Sequence, residues 1–392
     1  MAAPPRLSTL ARRLPAAVRS TGVLDPRVPD SIPLLGGNPA ADALPAAELA
    51  TATAEVLAEG GPALRYSDPR GLERLRGWLA GREGVTPERI VVTNGGLHGV
   101  SLVVQALLDP GEEIVVDDPV YPTTLRVLQL ADARPVPVPV GPAGLDVERL
   151  ERRLADGLRP RIVYTVADFQ NPTGTVLAGD ARTRLVELAE RYGFVVLSDN
   201  PYRISRFAGT DVPDLPAASE RVVKVSTFAK SLGPGLRLGW LVLPEWLVEA
   251  VVALRTRTDQ HPSSLVQAAI ARLVDGTGVF EATTKRLAEL HGLRANALVA
   301  ALRERLGDVL EAERPDGGFF VWARLREGAP DLDALHAAAA AHGTSFSRGT
   351  SFAVPGGGEH RDRIRLGFSD LPEASLREAV DRLAAAVEEV RR

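Results

Sequence analysis

The sequence predicts an α/β fold: a mainly parallel sheet sandwiched by helices, followed by a smaller α+β unit. Three observations carry this prediction. From Arg89 to Leu243, short β-branched runs alternate with helical segments, as in βαβ units. Beyond Pro315 that alternation gives way to two strands and a terminal helix. The chain's 392 residues, 45% hydrophobic and 24% charged, are enough to bury one large core and a second smaller one.

In chain order, residues 1–36 read as an arm, with a short amphipathic helix near Leu7 to Val18 and then extended chain set by Pro26, Pro29 and Pro33. Strands are expected at Ile90–Val92, Ile114–Val116, Ile162–Val166, Phe194–Leu197, Val222–Val225 and Gly239–Leu243. Each is a short apolar run, the form taken by strands covered on both faces. Helices are expected at Leu97–Leu108 and Ala181–Tyr192, and over Leu265–Leu306 with a break at Gly276 and Gly278. The last unit has strands at Phe319–Leu325 and Ile364–Phe368 and a helix from about Glu373 to Val390.

Composition removes several function classes. A net charge of -4 and a pI near 6.0 argue against a nucleic-acid partner, which needs clustered uncompensated Lys and Arg. Arg6, Arg12, Arg13 and Arg19 precede no apolar stretch long enough for a signal sequence or a membrane span, so a cytoplasmic location is expected. The absence of cysteine excludes disulfides, thiolate metal sites and cysteine nucleophiles, and the six histidines show no ligand spacing, so no metal is expected.

Lysine usage is informative. Of 46 basic residues only Lys224, Lys230 and Lys285 are lysines, so arginine meets the general need for positive charge. Lys224 lies in a strand-like run and Lys285 in a polar helical stretch, where ordinary structural readings suffice. Lys230 sits among small residues and glycines, in Ser226-Thr227-Phe228-Ala229-Lys230-Ser231-Leu232-Gly233-Pro234-Gly235. An amine can form an imine there, and a guanidinium cannot.

Ligands of open α/β sheets collect at the carboxyl ends of the strands. The loop Thr93-Asn94-Gly95-Gly96-Leu97-His98-Gly99 leads into a helix whose free N–H groups would suit a phosphate, or else makes only a tight turn. Asp117-Asp118-Pro119-Val120-Tyr121 offers an aromatic for stacking or for the core. Asp168-Phe169-Gln170-Asn171-Pro172-Thr173-Gly174 is a turn by composition. Ser198-Asp199-Asn200-Pro201-Tyr202 brings an acid that must find a cation or a donor if buried. Arg237, in Gly235-Leu236-Arg237-Leu238-Gly239, could pair with a phosphate or lie on the surface.

Together, Asn171-Pro172-Thr173-Gly174, Asp199-x-x-Tyr202, Ser226-Thr227-x-x-Lys230 and Arg237-x-Gly239 resemble the fold-type I pyridoxal-phosphate (PLP) aminotransferases of class I/II. The resemblance spans nearly the whole chain, from Gly36-Gly37-Asn38-Pro39 and Tyr66-Ser67-Asp68-Pro69-Arg70-Gly71-Leu72 to Arg365-Leu366-Gly367-Phe368-Ser369. Asp168-Phe169-Gln170-Asn171-Pro172-Thr173-Gly174 and Gly233-Pro234-Gly235-Leu236-Arg237-Leu238-Gly239-Trp240 look most like the 2-aminoadipate and kynurenine aminotransferase branch. It implies a sheet of the seven-stranded type. It also implies an arm (1–36) joining the small domain, a large PLP-binding domain (37–260), and an interdomain helix with the small C-terminal domain (261–392).

The resemblance further implies roles. Lys230 would hold PLP as an aldimine and shuttle the Cα proton, with Asp199 on the pyridine nitrogen, Asn171 and Tyr202 on the ring oxygen, and Tyr121 stacked on the ring. Gly96 and Leu97 backbone N–H groups, Thr227, Arg237 and the Tyr66 of a neighbouring subunit would hold the phosphate, which makes the protein a homodimer. Arg365 would clamp the substrate carboxylate, helped by the Gly37 backbone and Asn171, while Arg19 would meet an acidic side chain. An amino acid would pass through a quinonoid to a 2-oxo acid and pyridoxamine phosphate, and a second 2-oxo acid would reverse the steps.

Some positions depart from the branch. Gly96-Leu97-His98 stands where polar Ser and Gln are usual, Asn200 replaces a second acid, and Ala229 replaces a serine. These departures leave room for a specialised biosynthetic enzyme, including a PLP decarboxylase, oxidase or lyase. A regulator with an aminotransferase-like domain would need a winged-helix module, for which the arm is too short. A nucleotide-dependent oxidoreductase would need a G-x-G-x-x-G fingerprint, and the sequence has none at the expected turn.

Overall fold

The computed structural model describes residues 6–14 and 30–392, so Arg19, Pro26 and Pro29 of the arm lie outside the described residues. The arm's described helix spans Thr9–Arg13 and is capped by the Ser8 hydroxyl. The strands, in chain order, are β1 (Ile32–Pro33), β2 (Ile90–Thr93), β3 (Glu113–Asp118), β4 (Arg134–Gly141), β5 (Gly144–Leu145), β6 (Ile162–Thr165) and β7 (Val195–Asp199). They continue with β8 (Val222–Thr227), β9 (Gly239–Val242), β10 (Leu310–Glu311), β11 (Phe320–Leu325), β12 (Thr344–Ser345), β13 (Ser347–Arg348) and β14 (Arg363–Gly367).

The main sheet has the order β2-β9-β8-β7-β6-β3-β4-β5. β8, β7, β6, β3 and β4 are parallel, β9 is antiparallel to both its neighbours, and the two-residue β5 adds an antiparallel eighth strand to the seven expected. The apolar runs bury both faces. Ile114, Val116, Ile162, Tyr164, Leu197 and Val225 pack on one side with helices Gly96–Leu107, Pro122–Leu130 and Glu245–Arg255. On the other side Val115, Val163 and Val196 meet helices Val147–Ala155 and Gly179–Tyr192, while Val92 and Trp240 meet Glu73–Glu83 and Ser264–Val274. The expected helix break is present: Ser264–Val274 is followed by Val279–Leu306, with left-handed Gly276 and Gly278 between them.

A second, antiparallel sheet of order β10-β11-β14-β13 packs against Val279–Leu306, Leu332–Ala341 and Glu373–Val390 around a separate apolar cluster. β1 pairs in parallel with β12, which ties the start of the chain to this unit. Residues 34–38 therefore run from the second sheet toward the carboxyl ends of the first. Among the described residues, no helix is long and apolar enough to cross a membrane.

Strand β4 is not among the strands expected from the sequence, and its Arg-Pro-Val-Pro-Val-Pro-Val-Gly run carries three prolines, which disfavour a strand inside a sheet. The structure resolves the conflict by register. Arg134 N–H donates to Glu112 O, so the even-numbered residues present their donors to β3. Pro135, Pro137 and Pro139 fall on the outer side, where a missing N–H costs nothing, and Pro139 O still accepts from Asp146 N. Val136 and Val138 are buried.

The loop after β6 is clamped to the loop after β7 by a fully buried carboxylate, Asp168. Arg182 Nη2 lies 2.9 Å from it, Asn200 Nδ2 3.1 Å, Arg203 Nη1 3.3 Å and Arg206 Nη2 3.7 Å. Asn200 is thus a donor to Asp168 where a second acid would have repelled it. Removing the shared anion leaves the buried Arg182 and the partly exposed Arg203 and Arg206 with only the outer carboxylates Asp214 and Asp211 to offset them. Asp168→Ala is therefore expected to lower the unfolding free energy by about 3–5 kcal/mol, read from urea denaturation at neutral pH; a change under about 1 kcal/mol would show that the arginines do not depend on it.

Candidate active site

The carboxyl ends of β6, β7 and β8 bring Asn171, Asp199, Tyr202 and Lys230 into one cleft, and β14 delivers Arg365 from the second sheet. Lys230 closes a turn, Phe228–Lys230, in which Thr227 Oγ1 accepts from Ala229 N at 3.0 Å and Leu238 O accepts from Phe228 N. The turn is anchored behind by the Phe228 ring, 4.9 Å from that of Trp240 and 6.2 Å from those of Trp78 and Phe280. The Lys230 amine donates to Gly37 O at 2.6 Å. Burial, then the nearby Arg365 charge, pull it down to about 8, with Asp199 opposing.

Asp199, at the end of β7, accepts from Tyr164 OH at 2.8 Å through Oδ2. Its other oxygen receives no hydrogen bond from the described residues. Burial pushes this carboxyl up to about 6, held back by the Tyr164 hydrogen bond and the Lys230 charge. Asn171 links the two halves of the cleft: its Nδ2 lies 3.5 Å from Tyr202 OH, and its Oδ1 accepts from Arg365 Nη1 at 2.9 Å.

Arg365 is 4% exposed. Its Nη2 donates to Leu35 O and Ser347 Oγ at 3.2 Å, and its guanidinium carbon lies 4.0 Å from the Phe320 ring centre and 4.9 Å from that of Phe352. Its Nε is buried and has no hydrogen-bond partner among the described residues. Burial brings it down to about 10, with Tyr202 and Tyr121 opposing. Gly37 is glycine for a steric reason: a Cβ there would meet Phe320 Cζ at 3.1 Å and Lys230 Nζ at 3.9 Å.

At the edge of the cleft, helix Gly96–Leu107 begins after Gly95, which is in the left-handed region. Arg237, also left-handed, is exposed and lies over this helix start, its Nη2 3.1 Å from where a Gly95 Cβ would stand. Free N–H groups and a guanidinium together make an anion cradle. Gly239 permits it, because a Cβ there would lie 2.7 Å from Ser226 O and 2.8 Å from Gly95 C. Thr227 Oγ1 donates to Leu238 O at 3.1 Å, and Leu97 is partly exposed with a side chain that offers no donor. Tyr121 caps helix Pro122–Leu130 at the surface. Tyr66 is 87% exposed, its ring edge-on to His261. Arg19 lies outside the described residues.

Other residues at the cleft went unassigned in the sequence reading. Tyr164 read only as a strand residue, although a phenol in a fully buried strand must find a partner. Asp117 is fully buried, its carboxyl pushed up to about 7 by burial against the hydrogen bond from Val166 N. Phe320, under Arg365, carried no signal. Lys224 is not the ordinary strand lysine expected: its amine is 2.6 Å from Glu83 and 2.7 Å from Asp214. Burial alone would lower it, but these carboxylates outweigh burial and raise it.

Comparison with known proteins gives one family. The family described as Aminotransferase class I and II matches residues 30–383. Aromatic-amino-acid aminotransferase 1 of Thermococcus litoralis is 32% identical over 376 residues, covering 92% of this chain and 88% of that protein. The 2-aminoadipate transaminase of Thermus thermophilus is 32% identical over 365 residues, with 92% and 90% covered. Among solved structures, LysN, an α-aminoadipate aminotransferase of Thermus thermophilus complexed with N-(5'-phosphopyridoxyl)-L-leucine, superposes with a TM-score of 0.86 at 31% identity, covering 93% of each chain. A multiple substrate aminotransferase of Thermococcus profundus gives 0.88 at 29% identity over 98% of each.

The buried Lys224 and the half-buried Lys230 differ in a measurable way. Below about pH 8 Lys230 is mainly ammonium and unreactive; above it the neutral amine dominates. In the cofactor-free chain, an acetylation pulse followed by peptide mapping is expected to label Lys230 with a midpoint near pH 8, with Lys224 labelled only at higher pH. Labelling in the reverse order would contradict the electrostatics of the cleft.

Proposed function

The chain belongs to the class I and II aminotransferases, and from that premise we propose that Lys230 holds pyridoxal phosphate and that Arg365 receives the substrate carboxylate. The activity is PLP-dependent transamination between an amino acid and a 2-oxo acid. One observation carries the residue assignment: a half-buried amine, lowered to about 8, lies close to a half-buried carboxylate whose second oxygen accepts no hydrogen bond from the described residues and to a buried guanidinium whose Nε has no partner among them. These groups fit the cofactor's chemistry. When bound, PLP supplies an aldehyde and a ring that draws electrons away from the substrate Cα.

On this reading Asp199 faces the ring nitrogen with the carboxylate oxygen that Tyr164 leaves free. Asn171 and Tyr202 would donate to the ring oxygen, and Tyr121 would supply the stacking aromatic. The N–H groups of Gly96 and Leu97, Arg237, and the Thr227 hydroxyl, once turned from Leu238 O, would hold the phosphate. Lys230 Nζ would take the Cα proton and return it, and its lowered proton affinity brings the neutral amine within reach at mildly alkaline pH. Arg365 orients the amino acid through its carboxylate, with the Gly37 backbone and Asn171 beside it. The two aromatic rings flanking Arg365 exclude water from that bond.

The exposed Tyr66, with Leu57 and Leu64 also exposed close by in sequence, supports a homodimer in which Tyr66 reaches the phosphate of the second copy's site. Arg19 would approach an acidic side chain from the arm, and residues 37–260 would form the cofactor-binding domain between that arm and the 261–392 unit. The names of the relatives make aromatic amino acids and 2-aminoadipate the first donors to test. A cytoplasmic location completes the reading.

The purified protein is expected to be yellow, with borohydride fixing a pyridoxyl group on Lys230; a label on Lys224 or Lys285 overturns the assignment. Lys230→Ala should abolish multiple turnover in an amine-exchange assay. Arg365→Ala should lower kcat/KM by about two to three orders of magnitude for every amino donor tried, and an unchanged value would remove Arg365 from the carboxylate site.

A further inference from the structure

Asp199 has a supporting chain behind it that the proposed function does not use. Tyr164 stands opposite Leu197 in the parallel β6–β7 register, so it shares a face with Asp199 two residues further on. Its hydroxyl lies 2.8 Å from Asp199 Oδ2, and Thr124 Oγ1, on helix Pro122–Leu130, lies 3.1 Å from the same hydroxyl. Tyr164 is 0% exposed and Thr124 1%. The order of protons follows from chemistry. A carboxylate only accepts, so the phenol proton points to Asp199, and the phenol oxygen can then only accept from Thr124.

We propose that Tyr164, with its proton directed by Thr124, is the positioning residue of Asp199: it pins one carboxylate oxygen, holds the negative charge, and leaves the other oxygen for the cofactor's ring nitrogen. This rests on the assignment of Asp199 made above. Burial, then the charge of Asp199, keep the Tyr164 phenol well above its usual range, so it remains a donor at working pH. Lys230 is the cation facing Asp199, and Asp117 and Tyr202 are the other titratable groups in electrostatic contact with it. With the carboxyl already pushed up to about 6 by burial, loss of a donor to its anionic form moves it further toward neutral pH.

The test uses the holoenzyme of Tyr164→Phe, which keeps the ring and loses the donor. Equilibrium dialysis is expected to give a PLP Kd about tenfold or more weaker than wild type. The acid limb of both the visible absorbance and kcat/KM should shift to higher pH, because a carboxyl without its donor takes up a proton sooner. Thr124→Val should shift the same limbs in the same direction and by less, while Thr124→Ser should match wild type. If Tyr164→Phe binds PLP and titrates like wild type while Asp199→Ala loses the cofactor, the positioning role is overturned and the Asp199 assignment stands. If Asp199→Ala also binds PLP normally, both fall together.

Discussion

A carboxylate taken out of water must be met by donors or a cation, and the cleft is organised around meeting that demand for Asp199. Its partners come from neighbouring strands: Tyr164 from β6, and Lys230 from the turn after β8. Parallel pairing fixes their relative heights, with Tyr164 opposite Leu197 and Asp199 opposite Val225. Because side chains alternate between faces, a slip of one residue in either pairing would turn Asp199 toward the opposite helix layer. The register of three central strands is therefore part of the chemistry as well as of the fold.

The molecule contains two kinds of buried charge, and they behave differently. Asp168 and Lys224 are closed: each is surrounded by opposite charges that use its hydrogen-bonding capacity and hold loops or strands together. The half-buried Asp199 and Lys230 and the buried Arg365 are open, lying close together with proton affinities drawn toward neutrality by desolvation, and among the described residues one Asp199 oxygen and Arg365 Nε stay unpaired. Closed charges stabilise a shape. Open ones are what a charged substrate and cofactor would complete.

Much of this was legible in the sequence. Strands covered on both faces must be apolar throughout, so β2, β3, β6, β7, β8 and β9 stood out as β-branched runs, and the loops after them were the natural place to look for polar chemistry. Lys230 stood out because lysine is rare in this chain. What escaped depended on contacts between distant segments. Tyr164 looks like any strand aromatic until Thr124, 40 residues away, and Asp199, 35 residues away, close around its hydroxyl. Lys224 looked ordinary because Glu83 lies 141 residues earlier in the chain. Asn200 was visible as a departure from the family, but its reason, donation to Asp168, required the two loops to be seen together.

The proline-bearing strand near the end of the main sheet has a consequence beyond its own pairing. A sheet border normally exposes a ladder of free amides onto which a foreign strand can dock, which is a route to fibrils. Here Pro135, Pro137 and Pro139 present that border with almost no amide hydrogen to offer, and the short β5 hairpin covers its tip. The residues that hid this strand from a sequence reader also deny self-templated growth a foothold there.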